Sequence, residues 1–388
     1  MPCGLPSAVA LFDEKKVAFF SVDTDVIQGL GFKFSEGALG ALALQRPDWL
    51  TIKQTEVVEK EVLAHRMEPV LKVNDNLKSA ISNMQRHSGI DFSAVISLLD
   101  SLDPAKVTAQ KFSNEFRKFV SNLDGDVLKI AGQALAKQIF DQYFDRLAPF
   151  EVRETKKHEF PDAAALFILE NHAKEIGKQG ILISKDSGWA DFANQSDWLY
   201  CVNSLDEFVG LFKSTGTVAT QVETKVASEL ANPTSYLSGI ISNAVNSHVS
   251  EASWYVDDVW TGICDRIEVE VDCPHYLSHT VDLNAVGAWI ADHDPTICTI
   301  EIKVKIYVSV DVRVEFYRYD VVDGDEFRIG SADVSRDREI EINAFITLRG
   351  DLVQNPIDSL SPSVDIAGGE YWVDVGEVEP DYGEYDRY

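Results

Sequence analysis

The chain has 388 residues, 45 % of them apolar and 25 % charged, which is the balance of a soluble globular protein and more length than one domain usually takes. No apolar run approaches the ~20 residues of a membrane span, and the first residues, Met1-Pro-Cys-Gly-Leu-Pro6, lack the basic-then-apolar form of a signal peptide. The five cysteines are odd in number and show no metal-site spacing, so a reduced, cytoplasmic protein without a membrane association is expected.

The net charge of −28 is unevenly placed. Residues 1–215 carry 24 Lys and Arg against 30 Asp and Glu, a balance of −6, which leaves 11 against 33, or −22, for residues 216–388. Strong sequence-independent affinity for nucleic acid needs a basic surface and is excluded. Gly-rich phosphate loops, Cys/His zinc spacings and Gly-x-Ser-x-Gly elbows are also missing, which argues against an NTPase or a serine hydrolase.

In chain order, Lys16-Val-Ala-Phe-Phe-Ser-Val-Asp23 is an apolar run of strand length, as in a strand buried on both faces of a parallel sheet. It ends at an acid, in the crevice where open α/β sheets place ligands. Helical pieces follow over residues 24–44, interrupted at Gly29 and Gly31. Leu50 to Gln54 reads as a short strand, and a helix capped near Thr55 carries Glu59, Glu61 and His65. From Glu68 to about Phe150 apolar residues recur every three or four positions, which predicts a helical insertion with Val127–Leu147 as its last helix. Its basic residues Lys106, Lys111, Arg117, Lys118, Lys129, Lys137 and Arg146 are either a rim for a polyanion or solvated helix faces.

Asp162 to Ile176 is a predicted helix with Pro161 in its first turn. Gly180 to Ser184 is a second apolar strand, running into Asp186 with Asp191 five residues on. Trp198 to Asn203 is a further strand, and Ser204 caps a closing helix with Glu207 in the capping-box position. The domain boundary is placed at Ser214–Thr217, giving an α/β domain over 1–215 and an acidic domain over 216–388. The second begins with helix to about Ser250. Its period then becomes two, most plainly over Ile300–Phe316, where every even position is Ile, Val or Phe; this predicts antiparallel sheet. Asp323-Gly324 marks a hairpin turn, and residues 376–388 form an acidic tail predicted to lack fixed structure.

Four short blocks, Val22-Asp-Thr-Asp25, Val58-Glu-Lys-Glu61, Glu159-Phe-Pro-Asp162 and Ile183-Ser-Lys-Asp186, resemble in order and context those of the PIN-domain nucleases, in particular a bacterial subgroup with an inserted helical region. The resemblance covers roughly residues 15–214 and does not extend to the second domain. The chain departs from the pattern at Asp25, where the family usually has Asn, and at the trailing acid, displaced to Asp191 by Ser-Gly-Trp-Ala. The resemblance implies a PIN-like three-layer α/β fold with a mostly parallel central sheet. It implies Mg²⁺ or Mn²⁺ as cofactor, with Asp23, Glu61, Asp162 and Asp186 as ligands and Asp191 as an outer one. Thr24 and Ser184 would orient ligand or phosphate; His65 and His158, close in sequence to the second and third acids, are either general-base or phosphate-contacting groups or ordinary surface histidines.

That chemistry is coherent. Gathered carboxylates repel one another until a cation joins them, hard divalent ions prefer oxygen ligands, and such ions promote phosphodiester hydrolysis. The implied function is a metal-dependent ribonuclease, with DNA open as substrate, in the manner of bacterial toxins or phage-defence effectors. The alternative is a catalytically silent PIN fold that binds nucleic acid or acts as a scaffold. Each acid also has a plainer use: Asp23 as a helix cap, Glu61 as a solvated residue with Glu59 its rival, Asp162 as a complement to the helix dipole, Asp186 as a turn residue. The acidic second domain suits an inhibitory contact with a basic groove, a basic protein partner, self-association into a homo-oligomer, or solubility alone.

Overall fold

The computed structural model describes residues 16–131, 133–145, 147–150, 159–214, 216–262, 264–319 and 326–381. The chain divides into two compact units, Met1–Lys213 and Ser214–Tyr388.

The first unit is a five-stranded, all-parallel sheet in the order β3-β2-β1-β4-β5. Strand β1 (Val17–Val22) is buried along almost its whole length, as its unbroken apolar sequence predicts. The chain then forms helices α1 (Thr24–Gly29) and α2 (Gly37–Gln45), strand β2 (Thr51–Thr55) and helix α3 (Glu56–Ser88). The Thr55 hydroxyl accepts from the Val58 N–H and so caps α3, satisfying a donor that the helix itself cannot. Helices α4 (Ser93–Leu102) and α5 (Pro104–Asn122) lead to strand β3 (Asp126–Leu128), and helices α6 (Gln133–Asp145) and α7 (Glu159–Ile176) lead back to strand β4 (Gln179–Ile183). Helix α8 (Ser187–Gln195), strand β5 (Leu199–Val202) and helix α9 (Leu205–Gly210) complete the unit. Gly180 of β4 is required by packing: a Cβ there would lie 2.3 Å from the Phe19 ring.

Two features of the expected helical insertion differ from its pattern. It does not start afresh at Glu68, because α3 continues through Pro69 for 33 residues. Nor is Val127 helical. Residues 126–128 pair with Lys53–Thr55 as the edge strand of the sheet, and the helix begins only at Gln133. Three residues are too few for a period to show, and pairing with β2 outweighs local propensity. Beyond Met67, α3 buries no residue, and α4 buries none at all.

Moving out from β1 to β2 and β3 and then crossing back to β4 creates a point, between β1 and β4, where the sheet order reverses. Such a point leaves a crevice beyond the carboxyl ends of the strands. The backbone closes here directly, the Asp23 N–H donating to the Ile183 carbonyl at 2.9 Å.

The second unit opens with helices α10 (Thr217–Leu230) and α11 (Tyr236–Glu251), followed by strands β6 (Ser253–Trp260), β7 (Arg266–Val281) and β8 (Gly287–Ile290). Strands β9 (Ile297–Tyr319) and β10 (Glu326–Arg349) pair antiparallel from Ile297 to Tyr319, with β7 on the other side of β9 and β11 (Ser363–Asp365) beyond β10. The even residues of β9, Ile300 to Phe316, are all buried, and Val222, Val226, Ile241 and Val245 of the two helices join their core. The odd residues form a polar face with cross-strand pairs such as Lys305–Glu339 at 2.7 Å. Strand β12 (Glu370–Glu377) pairs with β6 in parallel, an exception in a unit otherwise antiparallel. The acidic end is structured further than its composition predicts: Gly376 and Glu377 end β12, Val378 is buried, and Asp381 bridges to Ser331. Residues 382–388, like the Asp323-Gly324 turn, Arg146 and His158, lie outside the described residues. Among the described residues no helix is long and apolar enough to cross a membrane.

Candidate active site

The crevice at the order reversal holds the acids of the four blocks. Asp23 leaves β1 in extended backbone and caps α1, its Oδ1 accepting from the Thr24 N–H at 2.6 Å. Its Oδ2 accepts from the Ser184 hydroxyl, also at 2.6 Å, 161 positions away in sequence. Ser184 is fully buried at the tip of β4, and its oxygen accepts in turn from the Asp186 N–H at 3.0 Å. One hydroxyl thus ties both strand tips together.

Glu61, in the second turn of α3, faces α1: the Thr24 hydroxyl donates to its Oε2 at 2.9 Å. Glu59, two residues earlier, points elsewhere and accepts from Arg117 of α5 at 2.6 Å. The choice between the two acids is made by helical phase, since residues two apart face different sides. Asp162, in the first turn of α7, accepts from the indole N–H of Trp189 at 2.9 Å. Asp186 caps α8, its Oδ1 accepting from the N–H groups of Gly188 and Trp189. The two α8 contacts make the first turn of that helix a bracket between the third and fourth acids.

The electrostatics set this group apart. Burial pushes the Asp23 carboxyl up to about 7; Asp162 and Asp25 add to the shift, and the Ser184 hydrogen bond opposes it. Burial likewise raises Asp162 to about 6, against the Trp189 donor and with Glu61, Asp186 and Asp25 adding to it. Glu61 is raised by burial, with the Thr24 hydrogen bond and His65 opposing. Five carboxylates therefore sense one another at the head of the sheet, and among the described residues no Lys or Arg is among the charges that shift them. Asp25 is the acid that motif reasoning set aside as a departure. Its signal was in the sequence, two residues beyond Asp23. Trp189 was missed because the indole reaches an acid 27 positions away.

Not every candidate joins them. Asp191 is exposed on α8 and shares none of the contacts that link the others. His65 is exposed one helical turn beyond Glu61 and reaches the group only as a nearby charge. Several of the suggested rim cations are taken up locally: Arg117 by Glu59, Lys111 by Glu115, Lys137 by Asp141.

Residues 21–189 match the family model of the PIN domain. The N-terminal unit is built on a PIN domain. The match ends before β5, and the C-terminal unit lies wholly outside it. Comparison with curated proteins and with solved structures gave no match. PIN domains are usually nucleases and typically bind Mg²⁺ or Mn²⁺. The donor set here fits such an ion in its chemistry: all oxygen, anionic, and, among the described residues, with no Lys or Arg among the charges that act on it. Among the described residues, however, no three His, Cys, Asp or Glu side chains stand in a group that could hold a metal ion. Asp23 rests on Ser184 and Thr24, Glu61 on Thr24, Asp162 on Trp189 and Asp186 on its own helix.

Proposed function

We propose that the PIN domain of this chain is a divalent-metal-dependent ribonuclease that hydrolyses phosphodiester bonds at the crevice between β1 and β4. The observation that carries the proposal is the mutually repelling pair of Asp23, which is buried, and Asp162, which is half-buried, raised to about 7 and 6 with no Lys or Arg of the described residues among the charges that act on them. Buried carboxylates of this kind are destabilising unless something else compensates the charge. Asp23, Glu61, Asp162 and Asp186 are the residues that would hold the ion, with Asp25 at their edge. An Mg²⁺ or Mn²⁺ ion, when bound, supplies charge neutralisation and Lewis-acid polarisation at the phosphodiester.

The chain's own part is orientation. Ser184 holds Asp23 and the backbone of Asp186, Thr24 holds both Asp23 and Glu61, and Trp189 holds Asp162. Each is a fixed donor that keeps a ligand oxygen in place, the supporting role on which metal sites depend. RNA is the substrate the family likeness favours, and a toxin or phage-defence role is the cellular setting it suggests.

The test is cleavage of RNA and DNA oligonucleotides by the full chain with Mg²⁺, Mn²⁺ or EDTA. Cleavage that requires metal and falls by on the order of 10³-fold or more in Asp23→Asn is expected. Absence of cleavage under every metal, with no effect of the substitution on nucleic-acid binding, rejects the proposal. The second reading, a silent PIN fold that binds nucleic acid or acts as a scaffold, is favoured by one observation, the lack of a ready-made ligand group. Calorimetric titration with Mn²⁺ separates the two, because the silent fold has no use for the ion.

A further inference from the structure

An aromatic patch borders the acids, and the proposed chemistry makes no use of it. On α6, Phe140 and Phe144 stand one helical turn apart, their rings stacked with centroids 6.3 Å apart and planes 25° from parallel. They are 51 % and 73 % exposed and adjacent, so they form an apolar patch rather than a lone surface residue. The patch is firmly founded. Phe140 and Tyr143 pack on Phe160 at 5.9 and 5.0 Å, and Phe150, which is buried, packs on both Tyr143 and Phe160. A reciprocal amide pair, Gln138 with Asn171, fastens α6 to α7.

Two connections place this patch beside the acids. Phe160 lies in the first turn of α7, two residues before Asp162 and therefore on a different side of it, so the cluster and the acid share one helix end, about a helix diameter apart across it. On the other side the turn after α6 abuts α8. A Cβ on Gly188 would come within 3.2 Å of the Pro149 carbonyl and 2.9 Å of the Asp186 carboxylate, so Pro149 and Asp186 meet across that glycine.

We propose that Phe140 and Phe144 are a stacking platform for an unpaired nucleobase of the strand whose phosphodiester lies at the acids. The inference rests on the nuclease reading and deepens it: α6 supplies a base-binding subsite for the substrate strand. Exposed ring faces bind bases through stacking, whatever the sequence, because every base has a flat face. In a duplex those faces are already covered by neighbouring bases. An aromatic platform also suits this unit's charge. With a balance of −6 over residues 1–215, and with Arg117, Lys111 and Lys137 paired to acids, attraction to phosphate is weak, and stacking provides affinity without cations.

The experiment uses the full chain with Mg²⁺ or Mn²⁺ and one RNA oligonucleotide, offered single-stranded or annealed to its complement. Phe140→Ala/Phe144→Ala is expected to raise KM for the single strand about tenfold or more with kcat little changed, Phe144→Trp to retain the wild-type KM, and the duplex to be cut poorly. An unchanged KM in the double variant, or equal cleavage of the duplex, overturns the platform. Both side chains are exposed, so folding is expected to survive, and equal melting temperatures check this. A second arm reads binding alone. In Asp23→Asn, an oligonucleotide carrying 2-aminopurine should lose fluorescence on binding, and Phe144→Ala should abolish that loss. Quenching that depends on Phe144 without any metal-dependent cleavage by the wild type supports the platform and removes the nuclease reading. Cleavage that needs Asp23 but ignores both phenylalanines does the reverse.

Discussion

Acids are plentiful in both units, and the two units treat them in opposite ways. On the polar face of the C-terminal sheet they sit in water beside partners. The Ser335 hydroxyl and then His275 hold the Asp311 carboxyl below its ordinary value, and Arg266 and then Tyr317 do the same for Glu268. At the head of the N-terminal sheet fewer acids are gathered, but burial raises Asp23 and Asp162, and among the described residues the charges that add to the shift are other acids. The unit with the balance of −22 therefore shows ordinary surface electrostatics, while the unit with −6 holds the perturbed group. What distinguishes a site is desolvation without compensation, not the number of charges.

That contrast can be broken at its strongest point first. Asp23 binds its proton at about 7 when folded and at about 3.8 when unfolded. Between those values the folded state holds more protons, so the metal-free protein gains from this group at low pH and loses that gain as pH rises through about 7. Asp23→Asn cannot ionise. It is expected to stabilise the metal-free protein at pH 8 by between about 1 and 4 kcal/mol, the upper figure being the full gap at about 1.4 kcal/mol per pH unit. Melting curves in EDTA at pH 4 and pH 8 check this, with a rise of roughly 2–4 °C for each kcal/mol at pH 8 and none at pH 4. A lower melting temperature at pH 8 would mean that the acid is compensated after all.

A smaller effect sharpens the comparison from the side of the supporting donors. Trp189→Phe removes the indole N–H from Asp162 and should weaken Mn²⁺ binding by about 10- to 100-fold, as loss of a ligand's supporting hydrogen bond typically does. Titration calorimetry reads it, and unchanged affinity would take Asp162 out of the ligand set. The least effect is expected on the other sheet. Arg266 pairs with Glu268 and Glu326 on an exposed face, and exposed pairs contribute little. Arg266→Ala should leave the melting temperature unchanged within measurement; a clear loss would show that the polar face does more than meet water.

Much of this architecture was legible in order. An apolar run with no polar break means a strand covered on both faces, and β1 and β4 are such strands. Strict alternation means one wet face, as along β9. The caps at Asp23, Thr55 and Ser204 follow from residue type and position. Strand β3 was not legible, since three residues after Asp124-Gly125 gain their conformation from β2 alone. Among the site residues, the acids of the four blocks could be named from their places at strand tips and helix starts. The hydrogen bonds that turn Glu61 toward Thr24 and Glu59 toward Arg117, the separation of Asp191 and the arrival of Trp189 at Asp162 could not.

The sequence by itself determined most of the strands and helices, where the acids stand along them, and where most of the negative charge falls, because each of these depends on neighbours a few residues apart. Only the tertiary structure decided which carboxylates face one another and how far each is removed from water. Those quantities depend on groups brought together across up to 161 positions, and a side chain's charge state responds to the space around it rather than to its place in the chain.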